Sequence, residues 1–158
     1  MKLLPHFARV ASLATFLKTN CLSPSNDENV LDAMLSYCQD RGNFTAGLHY
    51  YPDGTNDFAK YPIETLAEGA GDCEDKSILF ASLAEALGYE ALICIVPGHA
   101  FVAVHMASAP THYTGSSAWS ITVGGLQYWI CETTMYGWRV GDCPSSYQSE
   151  VPVTAAVA

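Results

Sequence analysis

The sequence predicts an α+β domain in which helices gather on one side of an antiparallel sheet, with N-terminal helices leading into it. Two observations carry this. From Lys76 onward, Leu79, Phe80, Leu83, Ala84 and Leu87 recur at i, i+3/i+4 and i+7/i+8, the stripe of a helix packed on a core. After it come four apolar runs, at residues 91–96, 100–106, 119–123 and 126–133, divided by turn signals. The last two are separated by Gly124-Gly125, a two-residue glycine pair suited to a hairpin. Strands following one another across short turns form an antiparallel sheet, and a helix with one apolar face must cover it.

The elements follow in chain order. Met1-Lys2-Leu3-Leu4 resembles the opening of a signal peptide, but Pro5, His6 and Arg9 interrupt it. Residues 10–17 are too short and, with Ser12 and Thr15, too polar to cross a bilayer, so an amphipathic helix ending near Asn20 or the Ser23-Pro24-Ser25 loop is expected. A second helix is predicted over residues 28–38, with Val30, Leu31, Met34, Leu35 and Cys38 on one face. Residues 42–70, rich in Gly, Pro, Asn, Asp and Tyr, form a long connection expected to wall a cleft or to carry short helices. The central helix is bounded by Gly71, by Asp72 as N-cap and by Gly88 as C′ stop. The organisation expected is a single domain over residues 1–142, with its core at about 57–141 and a tail at 143–158 to which no structure is assigned.

Composition sets the outer limits. A chain of 158 residues that is 49% hydrophobic and 15% charged can bury a substantial core. Its net charge of −9, from 7 basic and 16 acidic residues, argues against nucleic acid, because phosphate binding relies on clustered Lys and Arg. No segment reads as a membrane span, and no motif fixes an oligomeric state. Six cysteines occur, but a domain of this size needs no stapling, and Cys94 and Cys131 lie inside apolar runs as small hydrophobes. This points to a reducing, cytoplasmic location. Neither Cys-x-x-Cys nor His-x-x-x-His is present, which leaves a zinc site without its usual ligand pairs.

Chemistry concentrates at Gly71-Asp72-Cys73-Glu74-Asp75. A helix start offers unpaired N–H groups and the positive end of the helix dipole, which can lower a cysteine pKa from about 8.5 to about 3.5–7.5. On that basis Cys73 is expected to be a nucleophile at neutral pH. Two later segments end regular elements with suitable partners: His99, after Pro97-Gly98, and Glu132, after the run 128–131. If their strands lie side by side, imidazole and carboxylate stand over the helix start. His105 and His49 are rival bases. The tryptophans and Tyr50, Tyr51 and Tyr61 suit core or cleft wall.

Taken together, Tyr61-Pro62-x-Glu64-Thr65-Leu66, the Gly-Asp-Cys-Glu-Asp element, Leu87-Gly88-Tyr89, Pro97-Gly98-His99-x-x-Val102-Ala103-Val104, and Glu132-Thr133-Thr134 with Gly137-Trp138 resemble the transglutaminase-like superfamily. Among its members the similarity is to the small prokaryotic proteins and bacterial transglutaminase-like cysteine peptidases, from about Asp57 to Gly141. The resemblance implies a papain-like core whose nucleophile helix packs on an antiparallel sheet. It implies Cys73 as nucleophile, His99 as general base and Glu132 as the group orienting the imidazole, acting by acyl transfer through a thioester on a peptide or protein substrate. The Cys73 backbone N–H would serve the oxyanion. Two departures stand out: the family usually has Asp where Glu132 adds a methylene, and crosslinking members usually have Trp where Glu74 stands, which favours hydrolysis. No cofactor is required. The carboxylates of Asp72, Glu74 and Asp75 suit N-capping, or, as in some peptidases of this group, a calcium site; their negative charge also opposes a thiolate at Cys73 unless a cation or His99 offsets it. A catalytically silent peptide-binding module and a glutamine deamidase or transglutaminase stay open as alternatives.

Overall fold

The computed structural model describes residues 5–42, 47–52, 54 and 58–157. Met1-Lys2-Leu3-Leu4, with its resemblance to a signal-peptide opening, and Asp57, where the family resemblance begins, lie outside the described residues.

Helix α1 spans Pro5–Asn20 and α2 spans Asp27–Cys38. Asn26 starts α2 by accepting the Asn29 N–H at 3.0 Å, and the buried face is the predicted one, Val30, Leu31, Met34, Leu35 and Cys38. The long connection is not a bare loop. It carries strand β1 (His49–Tyr50), helix α3 (Pro62–Glu68) and strand β2 (Ala70–Gly71), with β1 and β2 pairing in parallel. Helix α4, Cys73–Ala86, begins at the predicted cysteine and buries Leu79, Phe80, Leu83 and Ala84.

Five strands follow: β3 (Ala91–Val96), β4 (His99–His105), β5 (Ser120–Val123), β6 (Leu126–Cys131) and β7 (Val153–Ala156). They form one antiparallel sheet in the order β5-β6-β4-β3-β7. The α+β prediction therefore holds. Gly124 and Gly125 close the β5–β6 hairpin with φ of 59° and 84°, a backbone shape that side chains with a Cβ resist. The central strand β4 pairs with β6 (Val102↔Cys131), so the strand opened by His99 lies beside the strand that ends just before Glu132.

The tail is where the structure departs from the prediction. Val153–Ala156 adds to the edge of the sheet as β7, with Leu92 opposite Ala156 and Ile95 opposite Val153. An edge strand of four residues draws its order from backbone hydrogen bonds to its neighbour and needs no alternating apolar pattern, so nothing in Val-Thr-Ala-Ala announced it. The segment also covers the face of the sheet away from the helices. There Leu92, Cys94, Val96, Phe101, Ala103, Tyr128 and Ile130 make a second core closed by Cys143 and Tyr147. The helices cover the other face through Val102, Val104, Trp129 and Cys131.

One buried cation pins α4 in place. Lys76 is fully buried, and its Nζ donates to the carbonyls of Cys38 at 2.7 Å and Leu48 at 2.9 Å. Cys38 ends α2, so the ammonium sits at the negative end of that helix. Burial still pulls Lys76 down to about 8, against the opposing pull of Cys38 and Asp40. Among the described residues no helix is long and apolar enough to cross a membrane.

The buried thiols make stability fall in alkali. Burial raises Cys38 and Cys94 to about 12 and Cys143 to about 11, and holds Cys131 well above the usual thiol range, while an unfolded thiol ionises at about 8.5. Above that pH the unfolded chain binds fewer protons than the folded one, so each such thiol removes about 1.4 kcal/mol per pH unit until its folded pKa is reached. Lys76 acts in the opposite sense, its lowered pKa adding stability as pH rises from about 8 to its unfolded value near about 10.4, but it is one group against several. Thermal melts between pH 8.5 and 10.5 are expected to show a steadily falling Tm, with a shallower slope for Cys38→Ala; a Tm that holds or rises contradicts this account.

Candidate active site

The start of α4 is built tightly. A Cβ added at Gly71 would lie 2.6 Å from Cβ of Asp75, so only glycine lets the chain pass this close to the helix. Asp72, in extended conformation, caps the helix by accepting the Asp75 N–H at 3.3 Å. Cys73 is the first helical residue and is only 8% exposed.

The state of the thiol corrects the sequence expectation. Cys73 is raised to about 12, first by burial, then by donating its S–H to Oε2 of Glu74 at 2.9 Å and by the negative charges of Glu74 and Asp72; a hydrogen bond from the Ala100 backbone acts the other way. A helix start does favour an anion, but Asp72 and Glu74 already supply negative charge there, and a third anion beside them is opposed. The crowding also acts on Asp72, which is raised to about 6 by burial and, against its hydrogen bond from Asp75, by the charges of Glu74 and Asp75. The Cys73 sulfur is therefore held as a neutral thiol.

His99 opens β4, and its Nε2 lies 2.7 Å from Oε2 of Glu132. Glu132 is 2% exposed, and its other oxygen accepts the Thr134 N–H at 2.9 Å and the Thr134 hydroxyl at 2.6 Å. Its backbone carbonyl accepts the Gln39 amide at 2.8 Å, which also donates to the Trp138 carbonyl at 2.9 Å. The longer carboxylate thus reaches the imidazole while remaining fully hydrogen-bonded. Nδ1 of His99 has no partner among the described residues, and the ring lies flat against Tyr147.

The structure therefore brings His99 to Glu132, and brings the sulfur of Cys73 to the amide of Ala100, the residue after His99. Tyr50 stands across the same opening; its phenol is raised by burial and by the charges of Cys73, Asp72, Glu74 and Tyr147. Asp75 is turned away. Its Oδ1 accepts the Lys60 N–H at 2.8 Å and its Oδ2 pairs with Lys60 Nζ at 2.8 Å, so of the three carboxylates expected at a calcium site only Asp72 and Glu74 stand beside the sulfur, within 4.8 Å. The rival bases are placed elsewhere: His105 Nδ1 faces the Gln127 carbonyl at 2.9 Å, and His49 is an exposed neighbour of Asp40.

A second acidic group, Glu28, Asp32 and His112, is a structural hub. Glu28 accepts the backbone N–H groups of Thr111 and His112, both at 2.6 Å, while Asp32 accepts the Val140 N–H and faces His112 and Arg139. It ties α2 to two loops and has few lone pairs left for a metal.

Sequence reasoning missed Gln39, Thr134 and Tyr147. Thr134 stood inside the Glu132-Thr133-Thr134 motif and could have been read as a carboxylate partner. Gln39 and Tyr147 carried no local signal, since each acts across a large sequence separation.

Residues 15–142 match the sequence profile of the transglutaminase-like superfamily. No curated protein matches the chain in sequence. Among solved structures the chain is similar to Legionella pneumophila LapG, at 15% identity and a TM-score of 0.45 over 94% of this chain and 83% of that one. It is likewise similar to EGTA-treated Legionella pneumophila LapG, at 15% identity and a TM-score of 0.46 over 94% and 81% of the two chains.

Glu74 is the group most easily separated from the rest. Glu74→Gln removes the charge that holds the proton on Cys73, and is expected to move the alkylation profile of Cys73 by iodoacetamide to lower pH, with about tenfold more thiolate at a given pH. An unchanged midpoint would show that burial alone sets the thiol.

Proposed function

This chain belongs to the transglutaminase-like superfamily, and from that premise we propose that it is a cysteine-dependent hydrolase of peptide or amide bonds. The observation that carries the reading is the 2.7 Å contact between His99 Nε2 and Glu132, because it commits one ring nitrogen to the carboxylate and leaves Nδ1 for the nucleophile.

In this mechanism Nδ1 of His99 takes the proton of Cys73 as the sulfur turns from Glu74 toward the substrate carbonyl. Attack forms a tetrahedral oxyanion, which the Cys73 N–H, unpaired within the first turn of α4, is suited to receive. Collapse breaks the C–N bond, with the protonated His99 delivering its proton to the leaving amine. Water, deprotonated by His99, then releases the acid from the thioester and restores the thiol. Glu132 remains ionised and stabilises the imidazolium, as the third member of such triads does. The net charge of −9 suits peptides that are not polyanionic, and the six cysteines suit a reducing, cytoplasmic location.

Screening a peptide library for new amino termini tests this directly. His99→Ala is expected to lower kcat/KM by about 10²–10⁴ and Cys73→Ala to abolish cleavage. Ammonia release without backbone cleavage would replace hydrolysis by glutamine deamidation, and binding without turnover would make the chain a silent peptide-binding module.

A second reading concerns calcium, favoured by the crowding of Asp72 and Glu74 around the sulfur. These two residues would hold the ion, and its charge would offset theirs; two side chains fall short of the six to eight oxygens calcium takes, so water or substrate would have to complete the shell. Adding calcium after chelation is expected to speed alkylation of Cys73, and Glu74→Gln to remove that response. No response in the wild type would end the calcium reading and leave the hydrolase reading intact.

A further inference from the structure

The C-terminal segment places an aromatic ring on the candidate general base, in a stretch lying beyond the residues that match the superfamily. Tyr147 and His99 have ring centroids 4.6 Å apart and planes inclined by only 13°, a stacked pair. Phe101, two residues along β4 and 3% exposed, backs both rings at 6.3 Å and 6.5 Å.

The tyrosine is anchored on both sides. Before it, Cys143 is buried in the second core, and the Tyr147 N–H donates to the Pro144 carbonyl at 2.9 Å while the Gln148 side chain donates to the Cys143 carbonyl at 2.9 Å. After it, the Glu150 N–H donates to the Tyr147 carbonyl at 3.1 Å, and the chain then joins the sheet as β7. Such a segment holds a ring at a defined place rather than trailing over the surface.

An imidazole has two rotations to restrain. The bond to Glu132 fixes where Nε2 points, but a single hydrogen bond leaves the ring able to roll about the line joining the two groups. A flat aromatic surface stops that roll. We propose that Tyr147 is a positioning residue, whose stacked ring holds the His99 imidazole in the plane that presents Nδ1 to Cys73. The proposal rests on the hydrolase reading, in which His99 acts on Cys73.

The test uses the full chain and three substitutions, Tyr147→Phe, Tyr147→Leu and Tyr147→Ala, with His99→Ala as reference. The readouts are the rate of Cys73 alkylation by iodoacetamide at pH 7 and the NMR shifts of the His99 ring protons, which a stacked aromatic ring moves upfield. Tyr147→Phe keeps the ring and should retain both the rate and the upfield shift. Tyr147→Leu and Tyr147→Ala should lose the shift and slow alkylation by about tenfold, since small misplacements of a reacting group are costly. If the alanine variant does not fold by circular dichroism, the leucine variant, which keeps apolar bulk, decides. A wild-type rate in a folded Leu or Ala variant, or a Phe variant as slow as either, overturns the positioning role. If His99→Ala itself leaves the rate unchanged, the hydrolase reading fails instead, and the ring-proton shifts still report whether the stack exists.

Discussion

A buried carboxylate in search of partners organises this molecule. Glu132 is almost completely removed from water, and an ionised group in that position is tolerated only when its lone pairs are occupied. Thr134 supplies a backbone and a hydroxyl donor to one oxygen, and His99 takes the other. These partners come from β4 and from the turn after β6, so the carboxylate is satisfied only when β4 and β6 pair in the observed register. Gln39 extends the constraint to α2 by holding the backbone of Glu132 and Trp138 together. Site and fold are one arrangement here, since the group that orients the imidazole also ties three elements.

The Cys73 thiol is governed by an opposing balance. A helix start stabilises negative charge, and the sequence places three acidic residues there. Asp72 uses this environment for its cap, and Glu74 uses the S–H itself as a donor. The anionic capacity of the first turn is therefore largely taken before the sulfur can claim it. The consequence is a protected thiol, and in the hydrolase we propose His99 would withdraw its proton at the moment of reaction rather than find it already shed.

The sheet has two covered faces, and they are covered by different means. Helix α4 packs on one through a periodic apolar stripe, the economical solution for a long regular element, and α1 and α2 pack behind it against α4. The other is closed by a short segment after Gly141 that contributes Cys143 and Tyr147 and ends as an edge strand. This second cover reaches the open face of the His99 ring. A segment without a local pattern thus gains its importance from what lies beneath it.

What the sequence determined by itself is whatever rests on near neighbours in the chain. The stripe from Lys76 to Leu87, the Asp72 cap, the Gly124-Gly125 turn and the four apolar runs are all local, so helix α4, its starting cysteine and the strands ending near His99 and Glu132 were legible, as was the family likeness. Tertiary structure alone decided which groups meet: Glu132 with Thr134 and Gln39, Asp75 with Lys60 rather than with its acidic neighbours, Tyr147 with His99, and β7 with β3. It also decided the charge state of Cys73: the opposing carboxylates of Asp72 and Glu74 were legible beside it, but the burial that raises the thiol most is not encoded in the helix-start pattern that drew attention to the residue.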